Sequence, residues 1–433
     1  MDIKVKGNQK LTGEITPSGS KNSAVHILPS TLLFKVPVTL TNIPDISDVH
    51  KLVQILTKLG SSIDWDIETS RMVIDNSNVS FSRLTSEDVG NMKGSALMWG
   101  GMLGRFKKVD MRDLPGGCTL GIRPIEPFLK SFRDMGVVVT EEEKGIMMDA
   151  TNAGSRNLWM TEQAVSVTST LIMLASSLSG KTTITGAASD PQIQDLCNLY
   201  VKAGVKITGV GSSILTIEGG QELSSVEHEL LSDHNEVTTF LALGAVTGGE
   251  VRVNNVNPDF FKQIQYEFSK FNVAIEFEDN RAIVREGQDI KFTGSFSKKT
   301  NILRAQPWPG FPVDLLPMMI PLALAAPSGY MIFHNWMYEA GLFWTSELTK
   351  LGAEVVMADP HRVIVMGGNK LRGGVVEAPY IIRAVVALVM AAMIAEGEST
   401  ILDADALYRG HPKFAENLRA LGAQIEILDE KTR

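Results

Sequence analysis

The sequence predicts an α/β fold, built from six similar strand–helix repeats that form two globular domains. Three observations support this prediction. Helical stretches repeatedly end at a glycine or asparagine, after which the chain enters a strand. A short strand with a polar turn precedes these helices. Other stretches consist almost wholly of apolar and small residues, which is typical of buried central helices.

The recurring stop is the strongest of the three signals. A helix commonly ends at a left-handed residue, a conformation that glycine adopts freely and asparagine tolerates. The stops recur about every 70 residues, whereas solenoid repeats span about 20–50 residues. Compact subdomains with helices packed on sheets are therefore predicted. The stops are Gly60, Gly136, Gly204, Asn272, Gly352 and Gly422.

The elements between the stops follow in order along the chain. Strands are predicted at residues 38–41, 182–185, 251–253 and 400–402, each ahead of a polar turn. Buried helices are predicted at Val167–Ser177, Thr238–Val246 and Ile382–Ala395. Two groups of three repeats place a boundary near residues 229–233. The predicted domains are therefore residues 21–230, and residues 1–20 together with 231–433.

Composition excludes several classes of protein. With 41 Lys and Arg against 49 Asp and Glu, the net charge is −8, and no long basic run predicts a nucleic-acid partner. Two cysteines do not make a disulfide scaffold, and the N-terminus lacks an apolar signal core. The longest apolar run, residues 384–395, is shorter than the roughly 20 residues of a membrane span. We therefore expect a cytoplasmic protein without a membrane partner.

A glycine-rich loop around Cys118 is the first candidate for chemistry. Gly116, Gly117 and Gly121 surround the cysteine, and Arg123 follows it. A nearby cation favours the reactive thiolate, although a cysteine is more often a small buried hydrophobe. The glycines argue against packing, so we favour a reactive thiol. The other cysteine, Cys197, lies in an amphipathic helical pattern and is predicted to be in the core.

Isolated charged residues supply the other candidates. In the segment 18–23, small residues precede Lys21, which predicts an anion site at a helix N-terminus or simply a solvated capping turn. Arg383 and Arg409 interrupt apolar sequence, where an arginine either forms an ion pair or binds an anion. Asp314 lies among apolar residues and prolines and could equally cap a helix. The seven histidines show no metal-ligand spacing, so no metal site is predicted.

Taken in order, these motifs resemble the enolpyruvyl transferases over essentially the whole chain. The resemblance implies an inside-out α/β barrel: two domains of three units each, the N-terminus in the second domain, and the active site in the cleft between them. The glycine–cysteine loop resembles the branch that commits UDP-N-acetylglucosamine to peptidoglycan, not the shikimate branch. The segments that carry the resemblance are residues 19–22, 38–45, 115–118, 121–124, 311–314, 383–384 and 409–410.

The resemblance also implies a reaction and roles for residues. An enolpyruvyl group passes from phosphoenolpyruvate to a hydroxyl acceptor, a uridine nucleotide, and phosphate is released through a tetrahedral ketal. Neither a metal nor an organic cofactor is required. Cys118 would protonate the vinyl carbon and react with fosfomycin, and Asp314 would take the acceptor hydroxyl proton. The anion would be held by Lys21, Arg123 and Arg409 with Arg383 beside them. Substrate contacts are implied for Asn22, Lys93, Pro124, Ser166, Val167, Asp233 and Glu236.

Several positions depart from the family pattern. Most departures fall where the acceptor would bind, which leaves open an enolpyruvyl transferase redirected to a nucleoside monophosphate or a phosphorylated sugar in specialised metabolism. A third alternative is a non-catalytic binding paralogue, against which the intact catalytic residues argue. The departures are Lys93 for an arginine, Phe128 for a histidine, Ala164 for a lysine, Thr168 for a glycine, His234 for an arginine, Trp336 for a cation and Ile381 for an acid.

Overall fold

The helices account for the apolar and amphipathic patterns of the sequence. The computed structural model of the chain describes residues 1–83, 95–111, 124–143, 145–293 and 301–428. In α2, for example, Val49, Leu52 and Leu56 share a buried face. The α-helices in the described residues are α1 Lys21–Ser30, α2 Ser47–Leu59, α3 Met98–Phe106, α4 Glu126–Asp134, α5 Val165–Ser177, α6 Pro191–Lys202, α7 His234–Thr247, α8 Lys262–Ser269, α9 Leu316–Ala325, α10 Ile382–Ile394 and α11 Phe414–Ala420.

The strands are short and lie between the helices. Those in the described residues are β1 Asp2–Lys6, β2 Gly13–Ile15, β3 Val38–Thr41, β4 Ser62–Asp66, β5 Arg71–Asp75, β6 Lys108–Met111, β7 Val138–Glu142, β8 Gly145–Asp149, β9 Asn157–Trp159, β10 Gly180–Thr185, β11 Lys206–Thr208, β12 Ile214–Gly219, β13 Val226–Glu229, β14 Val251–Val253, β15 Glu276–Glu278, β16 Arg281–Val284, β17 Ile302–Arg304, β18 Tyr330–His334, β19 Val355–Asp359, β20 Arg362–Met366, β21 Val375–Glu377, β22 Glu398–Leu402 and β23 Ile425–Leu428.

Within the described residues, six separate sheets correspond to the six repeats. The sheet of β9 to β12 shows the pattern: β9 pairs in parallel with β10, β10 pairs antiparallel with β12, and β11 and β12 form a hairpin. Helix α5 connects β9 to β10, and α6 connects β10 to β11, which gives the chain order βαβαββ. The sheets β15-β16-β14-β2 and β17-β18-β20-β19 share this strand order, and β6-β8-β7 has three strands within the described residues.

The chain divides into two compact units, and the part of each that the structure describes contains three sheets. In the described residues, one unit comprises residues 19–231 and the other comprises residues 1–18 and 232–428. Each unit has its own hydrophobic core, and the two cores share no residue. Three sheets also take a strand from far away in the sequence: β13 pairs with β3, β2 with β14, and β1 with both β22 and β23. The repeat pattern did not predict these long-range pairings.

The predicted stops and central helices are confirmed. All six stop residues have a positive φ, from 59° at Asn272 to 108° at Gly60. The predicted apolar stretches form α5, α7 and α10, which are buried along most of their length. The structure thus has a mixed α/β fold in separate sheets, and the inside-out barrel stays a prediction. No helix in the described ranges is long and apolar enough to cross a membrane.

Candidate active site

The repeat places most of the candidate residues at the start of a central helix. Lys21 is the first residue of α1, Ser166 and Val167 lie in the first turn of α5, and Arg383 is the second residue of α10. A helix N-terminus presents backbone N–H groups without intrahelical partners, and its dipole favours anions. Residues far apart in the sequence thus lie in the first turn of the corresponding helix in different repeats.

Lys21 forms an ion pair that the sequence did not predict. Its Nζ lies 2.9 Å from Oδ2 of Asp48, which is in the first turn of α2. Both side chains are largely buried, so the pair is less screened than a surface ion pair. Asp48 could have been noticed as an acid in the first turn of an amphipathic helix, but its sequence spacing gave no link to Lys21.

Backbone geometry fixes the start of α1. Ser20 caps the helix, because its Oγ accepts a hydrogen bond from Ser23 N at 3.2 Å. The Ser20 N–H itself donates to Leu231 O at 2.7 Å. A Cβ atom on Gly19 would lie only 1.7 Å from Asn42 O, so this position accepts only glycine. The close approach of residue 42 therefore requires a glycine directly before the residue that caps α1.

Other predicted residues of this unit differ in accessibility. Asn22 and Ser166 are half-buried, Val167 is buried and Pro124 is exposed. Thr168, a departure from the family pattern, has a structural role: its Oγ1 donates to Ala164 O and accepts from Ala188 N, each at 2.9 Å. Three predicted site residues, Cys118, Arg123 and Lys93, lie outside the described residues.

Phe128, at a position where the resemblance implies a histidine, packs edge-on against Trp99 with ring centroids 5.6 Å apart. Its aromatic ring therefore extends the core of residues 19–231. The side chain supplies no hydrogen-bonding group for a substrate.

In the other unit, Asp233 caps α7. Its Oδ1 accepts hydrogen bonds from Asn235 N at 2.8 Å and Glu236 N at 3.1 Å. Burial alone would raise the pKa of Asp233, but the charge of Arg383 and the hydrogen bond from the helix N–H of Glu236 lower it overall. The carboxylate is therefore held ionised in the interior, where it balances the nearby cation.

Arg383 and Asp314 are brought together by the fold. Arg383 Nε lies 3.9 Å from Asp314 Oδ2, and Nη1 lies 2.7 Å from His411 Nε2. Arg383 is buried, whereas Asp314, in the 3-10 turn Val313–Leu315, is partly exposed. An accessible carboxylate next to a buried cation can accept a proton close to a bound anion.

His234 lies in the same cluster. Burial and the charge of Arg383 lower its pKa, which the carboxylates of Asp233 and Asp314 partly oppose. The imidazole is therefore neutral at pH 7, and it adds no charge at the position where the resemblance implies an arginine. Its ring packs near Trp308, with ring centroids 6.3 Å apart.

Glu236 is fully buried and bound by the protein itself. Its Oε2 accepts from Ser18 N at 3.0 Å, and its Oε1 accepts from Asn417 Nδ2 at 3.1 Å. Burial, reinforced by the charge of Asp233, raises the pKa of Glu236 to about 7. These contacts give Glu236 a role in anchoring Ser18, and its contact with a substrate stays a prediction.

Two aromatic side chains bear on the candidate site. One contacts a predicted site residue, and the other stands at a position that departs from the family pattern. The Arg409 guanidinium lies 5.2 Å from the centroid of the Tyr380 ring, a cation–π contact that the sequence did not predict. Trp336 is 52% exposed, and its Nε1 donates to Ala305 O at 2.8 Å. The ring of Trp336 is thus fixed at one edge and leaves a flat surface open to solvent.

The prediction for Cys197 is confirmed. The side chain lies on α6 and has no exposed surface, and burial raises the pKa of its thiol to about 12. A thiol in this state is unreactive at neutral pH. In the residues that the structure covers, no group of three or more His, Cys, Asp or Glu side chains could hold a metal ion.

Similarities to known proteins extend over nearly the whole chain. Residues 5–418 match the family described as EPSP synthase (3-phosphoshikimate 1-carboxyvinyltransferase). A UDP-N-acetylglucosamine 1-carboxyvinyltransferase of Borreliella burgdorferi is 32% identical over 422 residues, covering 98% of each chain. One of Bacteroides fragilis is 34% identical over 436 residues, covering 97% of this chain and 98% of the relative.

Solved structures show the same fold. The enolpyruvyl transferase NikO of Streptomyces tendae superposes with a TM-score of 0.86 at 20% identity, covering 98% of both chains. An EPSP synthase of Acinetobacter baumannii superposes with a TM-score of 0.74 at 16% identity, covering 99% of this chain and all of that one. With the family match and the relatives above 30% identity, these similarities show that the chain belongs to the EPSP synthase family of enolpyruvyl transferases.

Proposed function

We propose that the protein transfers the enolpyruvyl group of phosphoenolpyruvate to a hydroxyl of UDP-N-acetylglucosamine, in the synthesis of peptidoglycan precursors in the cytoplasm. The observation that carries this proposal is full-length similarity to several enzymes named for that reaction, at 32–34% identity. The motifs that carry the candidate residues also resemble those of the family in their order along the chain.

The proposed chemistry uses this chain's own side chains. Phosphoenolpyruvate is a small, highly charged anion, and we assign Lys21, Arg383 and Arg409 to its phosphate and carboxylate as sources of positive charge. Cys118 donates a proton to the vinyl carbon. The acceptor oxygen then bonds to the adjacent carbon, and Asp314 takes the hydroxyl proton. Loss of phosphate from the resulting tetrahedral ketal, with return of a methyl proton to the Cys118 thiolate, restores the double bond on the new ether.

A coupled phosphate-release assay tests this proposal. Phosphoenolpyruvate with UDP-N-acetylglucosamine should release phosphate, and Asp314→Asn should lower kcat by about a hundredfold or more, the usual range for loss of a general base. Because asparagine has nearly the same shape, an effect on folding is limited. Absence of phosphate release with this acceptor contradicts the proposal.

A second candidate is the same transfer to a different acceptor, such as a nucleoside monophosphate or a phosphorylated sugar. It is favoured by Ala164 and Trp336, which stand where the resemblance implies cations for the acceptor. Each lost charged contact costs roughly 1.5–3 kcal/mol, or about tenfold to a hundredfold in affinity. The exposed face of the Trp336 ring could instead stack on a base or a sugar.

The two candidates are separated by the choice of acceptor. Under the second, UDP-N-acetylglucosamine binds weakly, and Ala164→Lys with Trp336→Arg improves its apparent affinity more than that of phosphoenolpyruvate. Release of phosphate with uridine monophosphate, but not with UDP-N-acetylglucosamine, would establish the second candidate. An affinity in the micromolar range for UDP-N-acetylglucosamine in the unmodified protein would exclude it.

A further inference from the structure

His411 is a buried side chain that touches Arg383 and that the proposed mechanism has not used. It lies just beyond the 3-10 helix Ala404–Arg409 and is only 1% exposed. Its Nε2 is 2.7 Å from Arg383 Nη1, within the range of a short hydrogen bond between a charged and a neutral group.

The chemistry of the pair determines its protonation. A guanidinium group has five N–H donors and no acceptor, and it stays charged at every physiological pH. Nε2 of His411 must therefore be the acceptor, so the ring is neutral and carries its proton on Nδ1. A protonated imidazole would direct a donor at a donor and place two positive charges side by side.

The surroundings explain why Arg383 needs such a partner. The position two residues earlier, where the resemblance implies an acid, is Ile381, which cannot accept a hydrogen bond. Asp314 lies at 3.9 Å from Nε, an ion pair without hydrogen-bond geometry. A neutral acceptor fixes one N–H of the guanidinium without adding to the negative charge of Asp233 and Asp314, whereas a further carboxylate would reduce the charge available to a ligand.

We propose that His411 is a positioning residue, which as a neutral hydrogen-bond acceptor orients the Arg383 guanidinium to bind the anionic groups of phosphoenolpyruvate. The inference rests on the proposed function, in which Arg383 contributes to the anion site. It gives the orienting role to residue 411, since Ile381, where the resemblance implies an acid, has no side-chain acceptor.

Two substitutions at His411 distinguish the effect of its hydrogen-bond acceptor from the effect of its packing. His411→Phe keeps a planar ring but removes the acceptor, so the dissociation constant of phosphoenolpyruvate, measured by calorimetry, should rise about tenfold. His411→Gln keeps an acceptor oxygen at a similar distance and should restore affinity to within about threefold of the unmodified protein. Phe414→Leu disturbs the ring beside His411, whose centroid is 5.6 Å away, and should leave affinity unchanged.

A double-mutant cycle tests whether His411 influences the affinity for phosphoenolpyruvate through Arg383. If His411 acts through Arg383, His411→Phe should change affinity by less than about twofold in an Arg383→Ala background. An equal loss in both backgrounds, or a failure of His411→Gln to restore affinity, would overturn the inference. The KM of the acceptor substrate should stay unchanged in His411→Phe, a separation that a general loss of structure would not produce.

The same measurements distinguish this inference from the proposed function. Calorimetry needs no acceptor and no turnover, so the pattern among the variants can hold even when UDP-N-acetylglucosamine releases no phosphate. In that case the acceptor assignment fails and the role of His411 stands. If the unmodified protein does not bind phosphoenolpyruvate, both fail. If it binds phosphoenolpyruvate and His411→Phe binds equally well, only the inference about His411 fails.

Discussion

At the residue scale, Glu236 links stability to pH. Burial raises its pKa from 4.5 to about 7, so the folded state holds a proton that the unfolded chain has already lost. Glu236 should therefore make its full contribution to the unfolding free energy below pH 4.5. That contribution should fall as the pH rises to about 7. The loss is on the order of 3 kcal/mol, at about 1.4 kcal/mol for each pH unit.

The substitution Glu236→Gln removes this titration while keeping the shape of the side chain. The unfolding free energy of the variant, relative to that of the unmodified protein, should be lowest near pH 5 and should rise through pH 7. The reason is that only the unmodified protein is destabilised when residue 236 ionises. Urea unfolding at pH 5, 6, 7 and 8 measures the difference. The exposed Glu354→Gln in the same unit is the control, and a stability difference for Glu236→Gln that does not vary with pH would contradict the prediction.

The two cysteines should differ sharply in reactivity. Fosfomycin, an epoxide that mimics phosphoenolpyruvate, is expected to alkylate Cys118 and to leave Cys197 unmodified. The reason is that the Cys197 thiol has no exposed surface and its pKa is raised to about 12, so it presents almost no thiolate at neutral pH. Peptide mass mapping is the measurement, and Cys118→Ser is the control. Modification confined to Cys197 would refute the assignment.

At the element scale, two equivalent helix stops offer a matched comparison. Gly60 and Gly204 have φ of 108° and 103° and lie in the same unit. A Cβ at Gly60 would lie 2.1 Å from Arg83 Nη1 and 2.9 Å from Asn78 O, whereas one at Gly204 would meet nothing within 4 Å. Backbone strain should make Gly204→Ala cost about 1 kcal/mol, and steric overlap should add about 1 kcal/mol more for Gly60→Ala. Urea midpoints measure both, and equal costs would contradict the role given to Arg83 and Asn78.

The sequence predicted elements better than it predicted pairings. Local patterns sufficed for the stops, for strands such as β3 and for the buried helices, because left-handed glycines and apolar periodicity are properties of neighbouring residues. The pairing of β1 with β22 and β23 joins residues about 400 positions apart, and no local pattern encodes it. The stretch before Gly352 is helical as predicted, but it forms 3-10 turns over Phe343–Leu351.

In the candidate site, too, the sequence predicted individual residues but not the contacts between them. Charged residues in apolar or glycine-rich sequence identified Lys21, Asp314 and Arg383, because an isolated charge in such sequence needs a partner. Their actual partners, Asp48 and His411, come from other elements and became visible only in three dimensions. Partner choice depends on packing between elements, which a single sequence does not specify.

At the scale of the whole molecule, each unit holds its own three sheets and its own core. A core substitution should therefore loosen mainly the unit that contains it. Leu56→Ala, on α2, removes a fully buried side chain from residues 19–231, and Leu388→Ala, on α10, does so in the other unit. Each should cost about 2–5 kcal/mol.

Hydrogen exchange followed by mass spectrometry locates the effect of each substitution. In Leu56→Ala, amides of β3 and β10 should exchange faster while those of β18 and β22 keep their protection, because protection is lost in cooperative units that share a core. Leu388→Ala should give the reverse pattern. The chain crosses between the units at residues 18–19 and 231–232, so a path for coupling exists. Equal loss of protection in both units, from either substitution, would show that these crossings join the two cores into one cooperative structure.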